Sequence, residues 1–552
     1  MTTTAARTAA PAPPPAPDRR ALWLAIAGAA LLAAGLTAAV LAATGGRFVY
    51  ATDDAYIHLR LSENIWRGTY GINPGEPAAV SSSVLFPFLL TALAPLPIHH
   101  LGPFLWGLAG AGASVVALWR LAGRIGIDRA AGPWATAALI ILAALAFHVI
   151  GLPFAGLEHP LQVAAALFVL LGTIDVAEGR RAPWWLVALI VISPLIRFEG
   201  LAPSAAALAV LAARGEWRRG AVSAIGLAAA LAANGAFMAS LGAPMLPSSV
   251  LSKSAAAASL TDGNLSGMVL RMAVAAGQSI NQRHGLLLLA FAVAGLVGAA
   301  RGPLTLRRSE PLVAIAGALV AALYLAAGGT GPFYRYEPFA VAFVAIAALY
   351  VHRAAVAAFI AAAPWPARAI TAAAVPVLFL PYVYATATAP MAARNIFDLH
   401  LHLHRYAVEF LQAPIAVNDL GYVSYRNPNR VLDLYGLGSE RIRRLRLAGY
   451  DPAWIRAETE AAKAPVAVVF DHWFGGRLPP EWQPIGTIAA RRPFVVIDGV
   501  FTVYATRPEL AARERERLAR FRDAVHPPAG LTVIGPAAAM PTAAAGPPRR
   551  SP

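Results

Sequence analysis

The 552-residue chain has no cysteine, which excludes disulfides and thiolate metal sites. Charge is scarce too: Asp, Glu, Lys and Arg make up 13% of the residues, against roughly 25% in soluble globular domains. The sequence has no glycine-rich phosphate loop and no strong metal motif, and no internal repeat is evident. No stretch interleaves basic with aromatic residues as a nucleic-acid surface would. The formal net charge of +16 collects instead as arginines between apolar blocks, so nucleic acid is not expected as a partner.

What the sequence has in excess is apolar residues: 58% are hydrophobic and the mean hydropathy is +0.58. They run in long blocks rather than in short periodic stripes, the mark of a polytopic membrane protein. The blocks cover 21–43, 101–119, 132–150, 159–175, 183–197, 199–213, 220–240, 285–300, 311–327, 338–352 and 369–387. Each is near the roughly 20 residues that cross a bilayer. Arginines gather in alternate connections: Arg19 and Arg20, Arg120 to Arg129, Arg180 and Arg181, Arg214 to Arg219, Arg301 to Arg308, then Arg353 and Arg368. Placed inside, they thread eleven spans, with the N-terminus inside and the C-terminal region outside. Residues 81–97 then become an interfacial helix within an outer loop, 44–100.

This predicts a membrane all-α polytopic bundle over 21–387, carrying a small extracytoplasmic α/β domain over 388–526. Runs such as "PIAVNDLGYVSY", "NRVLDLYGL", "PVAVVFDHW" and "RPFVVIDGVFTVYAT" are apolar, β-branched and bounded by turn residues, as strands are. Residues 398–412 and 452–462 look helical, and a charged helix follows residue 510. The Ala/Pro-rich residues 1–20 and the tail 527–552 are expected to be disordered.

On this map the polar residues fall at the outer ends of the spans. Asp53, Asp54, His58 and Arg60 follow the first span; Glu158 and His159 lie in "GLPFAGLEHP", Arg197 and Glu199 in "ISPLIRFEG", Lys253 in "GAPMLPSSVLSKS", and Arg335, Tyr336 and Glu337 in "GPFYRYEP". Ionisable groups at membrane depth are expensive and face a cavity or a partner. Each feature also has a plain reading. The aspartates can start a solvated loop, Arg197 and Glu199 can form a structural ion pair, Arg335 can sit in an interfacial belt, and Lys253 can be an ordinary loop residue. His400, His402 and His404 alternate in "DLHLHLHRY". That spacing aligns on a strand but not on a helix, and the segment looks helical, so no metal site is read there. As a set, carboxylates that deprotonate a hydroxyl and cations that hold a phosphate suit attack on a lipid-phosphate-linked sugar.

With these motifs the sequence resembles the GT-C superfamily of glycosyltransferases that use polyprenyl-phosphate sugars. It is most similar to bacterial members related to the mycobacterial terminal arabinofuranosyltransferases, over most of residues 21–440. "DDAYIHLRLSENIWRGTYGINPGEP" resembles their first-loop signature and "GLEHPL" their short acidic outer motif. "IRFEGL" resembles their R-P-E-G turn, with Phe198 where proline is usual. "GAPMLPSSVLSKS" resembles a second loop closed by a lysine, although Ser248 and Ser249 depart from its L-P-N-T-like run. "RYEPF" resembles an R-Y-x-x-P span start, and "NDLGYVSYRNPNRVLDLYGLGS" an outer-domain stretch.

The resemblance implies an inverting transfer from a polyprenyl-phosphate donor to an envelope glycan or lipid, at the bacterial inner membrane. Asp53 or Asp54 would be the base, with Asp53 favoured. His58, Arg60, Glu158, Arg197, Glu199, Lys253, Arg335 and Tyr336 would contact substrate or phosphate. No cofactor is required, although the paired aspartates could help hold a divalent cation such as Mg or Ca. Two other classes stand beside this reading. A transporter or flippase would place its polar groups near the bilayer midplane and repeat its halves. A non-catalytic assembly protein would tolerate loss of both aspartates.

Overall fold

The computed structural model describes residues 17–245, 265–303, 305–329, 331–491, 499–525 and 530–535. Lys253 lies outside them, as do most of the two tails. The helices that build the site are α1 (Arg19–Ala43), α2 (Asp54–Trp66), α3 (Phe86–Thr91), α4 (Gly102–Ile125), α5 (Ile127–Ala146), α6 (His159–Ala177), α7 (Trp184–Ile196), α8 (Leu201–Ala213) and α9 (Trp217–Ser240). Further bundle helices span Arg283–Ala300, Ser309–Ala327 and Pro338–Val351.

Two polar ends face each other across this bundle. α6 is its centre, buried nearly all round, and its 19 residues span about 28 Å. At its C-terminal end, Arg124 pairs with Asp175 at 2.5 Å and Glu178 at 3.3 Å. Tyr350 Oη donates to Glu178 at 2.8 Å and lies 3.0 Å from the Ser309 hydroxyl, from which it can accept, and Arg353 reaches Glu310 at 2.7 Å. The start of α1 joins this end, where the Trp119 indole donates to the Asp18 carbonyl. At the opposite end, Ala51 bonds Phe154, Thr52 bonds Ala155, and the Val84 and Leu85 amides bond Leu195.

Among the described residues seven helices are long and apolar enough to cross a membrane, or nine if two bent pairs each count as one span. Those pairs are Pro338–Val351 with Arg353–Ala362, bent by 78°, and Trp365–Leu378 with Leu380–Ala387, bent by 72°. The eleven apolar blocks read from the sequence fall on these nine candidates and on two shorter apolar helices, α7 and α8. Each of these two has 13 residues, about 20 Å against a hydrocarbon core of roughly 30 Å. They meet in the turn at Arg197, which is buried. The interfacial helix expected over 81–97 reduces to the six residues of α3 and a short turn at Pro97–Leu101.

The C-terminal domain is a six-stranded sheet among the described residues: β1 (Ile415–Val417), β2 (Val431–Asp433), β3 (Val466–Val469), β4 (Gln483–Ala489), β5 (Val500–Ala505) and β6 (Gly530–Val533), in the order β2-β1-β3-β5-β4-β6. β1 pairs parallel with β2 and β3, and the rest is antiparallel. Here 530–533 form an edge strand, which corrects the expectation of a disordered tail from 527.

The first outer loop belongs to this domain by packing. Ile57 and Leu61 of α2, with Tyr70 and Ile72, share one apolar core with Ile415, Val417, Val466 and Val503. The Asn73 side chain brackets the free edge of β2. Its Nδ2 donates to the Val431 carbonyl at 2.9 Å and its Oδ1 accepts from the Val431 amide at 3.1 Å. Asn73→Ala is therefore expected to loosen the loop from the sheet by about 1–3 kcal/mol. Hydrogen exchange of the full chain checks this: the amides of 431–433 should exchange faster, and unchanged protection would mean the loop does not hold that edge.

Candidate active site

α2 begins with two acidic residues, as helix N-termini favour, yet neither acts as a side-chain cap. Asp53 occupies the N-cap with helical backbone angles and makes no capping bond. Consecutive helical residues point about 100° apart, so the two carboxylates diverge: Asp53 turns to the sheet domain and Asp54 to the bundle.

Asp53 is buried. Its Oδ1 accepts the Tyr422 amide at 2.7 Å, and its Oδ2 has no hydrogen-bond partner among the described residues. The approach is close enough that a Cβ at Gly421 would run into the Asp53 carboxylate and carbonyl, so this position requires glycine. His400 and Asp419 complete the group. His400 Nε2 lies 3.0 Å from Asp419 Oδ2, and the ligand atoms of Asp53, His400 and Asp419 all fall within 4.8 Å of one another. Asp419 leaves the carboxyl end of β1, where the parallel order turns from β2 on one side to β3 on the other. Crevices at such reversals are where open α/β sheets bind ligands. Burial pushes the Asp53 carboxyl up to about 8, with Asp419 adding to the rise while His400 and the Tyr422 amide oppose it. Burial works against charge on His400, but Asp53 and Asp419 outweigh it and hold the ring at about 9.

The bundle side is built from three breaks between helices. Glu158 and Glu337 each stand one or two residues before a proline in the first turn of a helix, where proline fits without losing a bond. Arg197 holds the extended residue between α7 and α8. Its Nη1 donates to Glu158 at 2.6 Å and to Ser82 at 3.0 Å, while its Nε and Nη2 straddle Glu199 at 3.2 and 2.8 Å. Arg335 pairs with Asp54 and donates to the Tyr336 hydroxyl at 3.2 Å. Both guanidiniums lie over the Tyr336 ring, at 5.0 and 5.1 Å from its centroid, and His159 stacks on that ring at 5.5 Å. His58 Nε2 stands 3.7 Å from Glu158. Burial opposes the charge on both arginines, yet the surrounding carboxylates and Tyr336 raise them further above the usual arginine range. Burial alone would raise Glu158, but Arg197 and His58 hold it below its ordinary value. Glu337, buried beside them, is pushed up to about 7 by burial.

The structure thus brings Asp54, His58, Glu158, Arg197, Glu199, Arg335 and Tyr336 into one cluster, with Asp53 on its sheet side. Arg60 does not join. It donates to the Ile72 carbonyl at 3.0 Å and pairs with Glu63 at 3.6 Å, and so braces the first loop. Lys253 lies outside the described residues.

The three histidines have different partners. The segment is helical, with π-helical turns at Phe397–Leu401 and Tyr406–Leu411, and the histidines do diverge. His402 Nδ1 contacts the Phe397 carbonyl and His404 packs on Tyr422. One histidine is enough, because His400 meets two carboxylates supplied by distant segments. Two carboxylates and an imidazole, with a buried carboxylate oxygen left over, fit a divalent cation. The nitrogen donor shifts the preference from Ca²⁺ and Mg²⁺ toward Mn²⁺ or Zn²⁺.

Fold and site define a polytopic helical membrane protein whose charged centre is closed by an appended α/β domain. Residues 393–505 match the family described as a domain of unknown function, DUF8728, and that stretch contains His400, Asp419 and Tyr422. A comparison with curated proteins finds no match. Among solved structures the chain is similar to the crystal structure of ArnT from Cupriavidus metallidurans bound to undecaprenyl phosphate, at 13% identity and a TM-score of 0.46, covering 88% of this chain and 99% of that one. It is also similar to the archaeal oligosaccharyltransferase AglB from Archaeoglobus fulgidus, in complex with an inhibitory peptide and a dolichol-phosphate, at 12% identity and a TM-score of 0.43, covering 88% of this chain and 74% of that one. Both are likenesses of fold at low identity, and neither says what this chain binds.

Two outcomes are expected. Mn²⁺ should raise the melting temperature of the purified chain, and should leave that of Asp419→Asn or His400→Gln unmoved; equal shifts in all three would remove the cation site. Arg197→Ala should destabilise by about 3–5 kcal/mol, because it strands buried Glu158 without its cation. Chemical unfolding in detergent measures that loss.

Proposed function

We propose that this chain is a membrane glycosyltransferase of the GT-C type, moving one sugar from a polyprenyl-phosphate donor to a hydroxyl of an envelope glycan or lipid. The observation that carries the reading is the pairing of functions at adjacent residues. A buried carboxylate oxygen of Asp53 has no hydrogen-bond partner among the described residues, and the next residue, Asp54, pairs with Arg335, one of two buried arginines around Tyr336. Asp53 is the better base of the two aspartates, since Asp54 already serves Arg335. A base held near neutrality works best at physiological pH, and Asp53, raised to about 8, meets that requirement.

In this reading the acceptor hydroxyl gives its proton to Asp53 as its oxygen attacks the anomeric carbon. The bond from that carbon to the phosphate oxygen breaks, and polyprenyl phosphate leaves with the electron pair. Arg335 and Arg197 face the charge that develops on it. One displacement on one face inverts the anomeric centre. The mycobacterial arabinofuranosyltransferase group remains the resemblance that guides the donor choice. The site is assigned to the outer face of the bacterial inner membrane by the arginine pattern. A transporter is disfavoured because the charged cluster lies at one end of the bundle, away from the middle of α6, where transporters bind.

Transfer from radiolabelled polyprenyl-phosphate sugars in membranes tests the reading. Asp53→Asn is expected to lose about 10²–10⁴-fold in kcat. Asp54→Asn should act more weakly, through the apparent affinity for the donor. No transfer with any donor, or full activity in both variants, overturns the proposal. Reporter fusions after residues 55 and 400 should both report outside; a cytoplasmic signal from either overturns the topology.

A further inference from the structure

A second cavity opens on the far side of Tyr422 from Asp53, with a volume of about 280 Å³, at the small end of the roughly 300–1,000 Å³ of ligand pockets. It lies between the segment after α1 and the sheet domain. Its cations are Arg47, Arg405 and Arg426, against Glu409 as its single lining carboxylate. Glu409 is already straddled by Arg405 at 3.0–3.3 Å. Arg426 keeps only a 3.7 Å contact with Glu63 and lies over the Tyr425 ring at 5.2 Å. Arg47 forms no ion pair among the described residues, and both Arg47 and Arg426 are exposed at the mouth.

The walls are aromatic, with the Tyr56 and Tyr422 rings 3.7 Å apart. Two polar atoms lining the cavity make no well-formed hydrogen bond among the described residues: the hydroxyl of Tyr425, which is 6% exposed and has only a loose contact with Arg426, and Nδ1 of His404. Buried polar groups left without partners are costly and point to a ligand that supplies one.

We propose that this cavity binds an anionic sugar unit of the acceptor, one bearing a carboxylate or a phosphate. Guanidiniums take the anion in paired hydrogen bonds. Tyrosine faces pack against the apolar face of a sugar ring, and the Tyr425 hydroxyl and His404 Nδ1 meet ring hydroxyls. Two elements link the cavity wall to the proposed catalytic group. Tyr422 lines it with its ring and bonds Asp53 with its amide. His404, also on its wall, follows His400 by one helical turn. The assignment to the acceptor rests on the transferase reading above; the binding of an anionic sugar does not.

The test is calorimetric titration of the full chain in lipid nanodiscs with glucuronate, glucose 6-phosphate, glucose and inorganic phosphate. Glucuronate or glucose 6-phosphate should bind, and glucose should bind at least about tenfold more weakly, as loss of a charge-assisted contact dictates. Arg47→Gln, at an exposed side chain, and Tyr425→Phe, which keeps the ring, should each weaken the charged sugar about five- to tenfold. Equal binding of charged and neutral sugars, phosphate alone binding as tightly as the sugar phosphate, no binding, or indifference to Arg47→Gln overturns the inference. Binding in a chain that never transfers sugar sinks the transferase reading and spares the cavity. Transfer without such binding does the reverse.

Discussion

The arrangement of this protein hangs on the hydrogen bond from the Tyr422 amide to the Asp53 carboxylate. It joins two points 369 residues apart, the start of α2 and the segment after β1. Gly421 lets the backbones approach, and the apolar face of α2 packs into the sheet's own core. The sheet domain is thereby fixed to the bundle at the one place where α2 starts. His400 and Asp419 reach Asp53 only because that docking is made, so the carboxyl-rich half of the site is a property of the interface and not of either part alone.

On the bundle side the governing term is desolvation. Arg197, Arg335 and Glu158 are all nearly fully buried, and an unpaired charge there would cost several kcal/mol. The structure answers with matched partners: Glu158 and Glu199 on Arg197, Asp54 on Arg335, and one tyrosine ring shared by both cations. Such a network is weak evidence for stability, since an apolar cluster would serve that end as well. In the proposed reaction these guanidiniums take a second part, turning from their carboxylates to the leaving phosphate.

Much of this is legible in the sequence, for physical reasons. Long apolar blocks report the bundle, and an ionisable residue beside such a block must find a partner. That is why "DDAYIHLR", "GLEHP", "IRFEG" and "RYEP" supply the gathered residues. Arg60 misleads because it lies on the face of α2 that meets its own loop, where the Ile72 carbonyl claims it. The part that stays hidden is the long-range part. Asp419 is one aspartate in a loop after a three-residue strand, and His400 lies in a row of histidines whose spacing suits no helix face. Only the fold brings them to Asp53. The order of the sheet strands is the missing clue, because β1 ends at the reversal between β2 and β3. The strand at 530–533 escapes notice for a different reason: four residues after a proline pair carry too little pattern to register against a Pro- and Ala-rich tail.

The adjacency of Asp53 and Asp54 carries a constraint of its own. Neighbours on a helix cannot face the same partner, so the pair does not act as a dyad sharing one proton. One carboxylate faces the imidazole and carboxylate of the sheet domain, and the other neutralises a guanidinium of the bundle. In the proposed reaction the first takes a proton and the second holds a cation in place, and a single aspartate could not do both. Placing them on consecutive residues at a helix start satisfies both with one backbone position, which ties the geometry of the whole site to the first turn of α2.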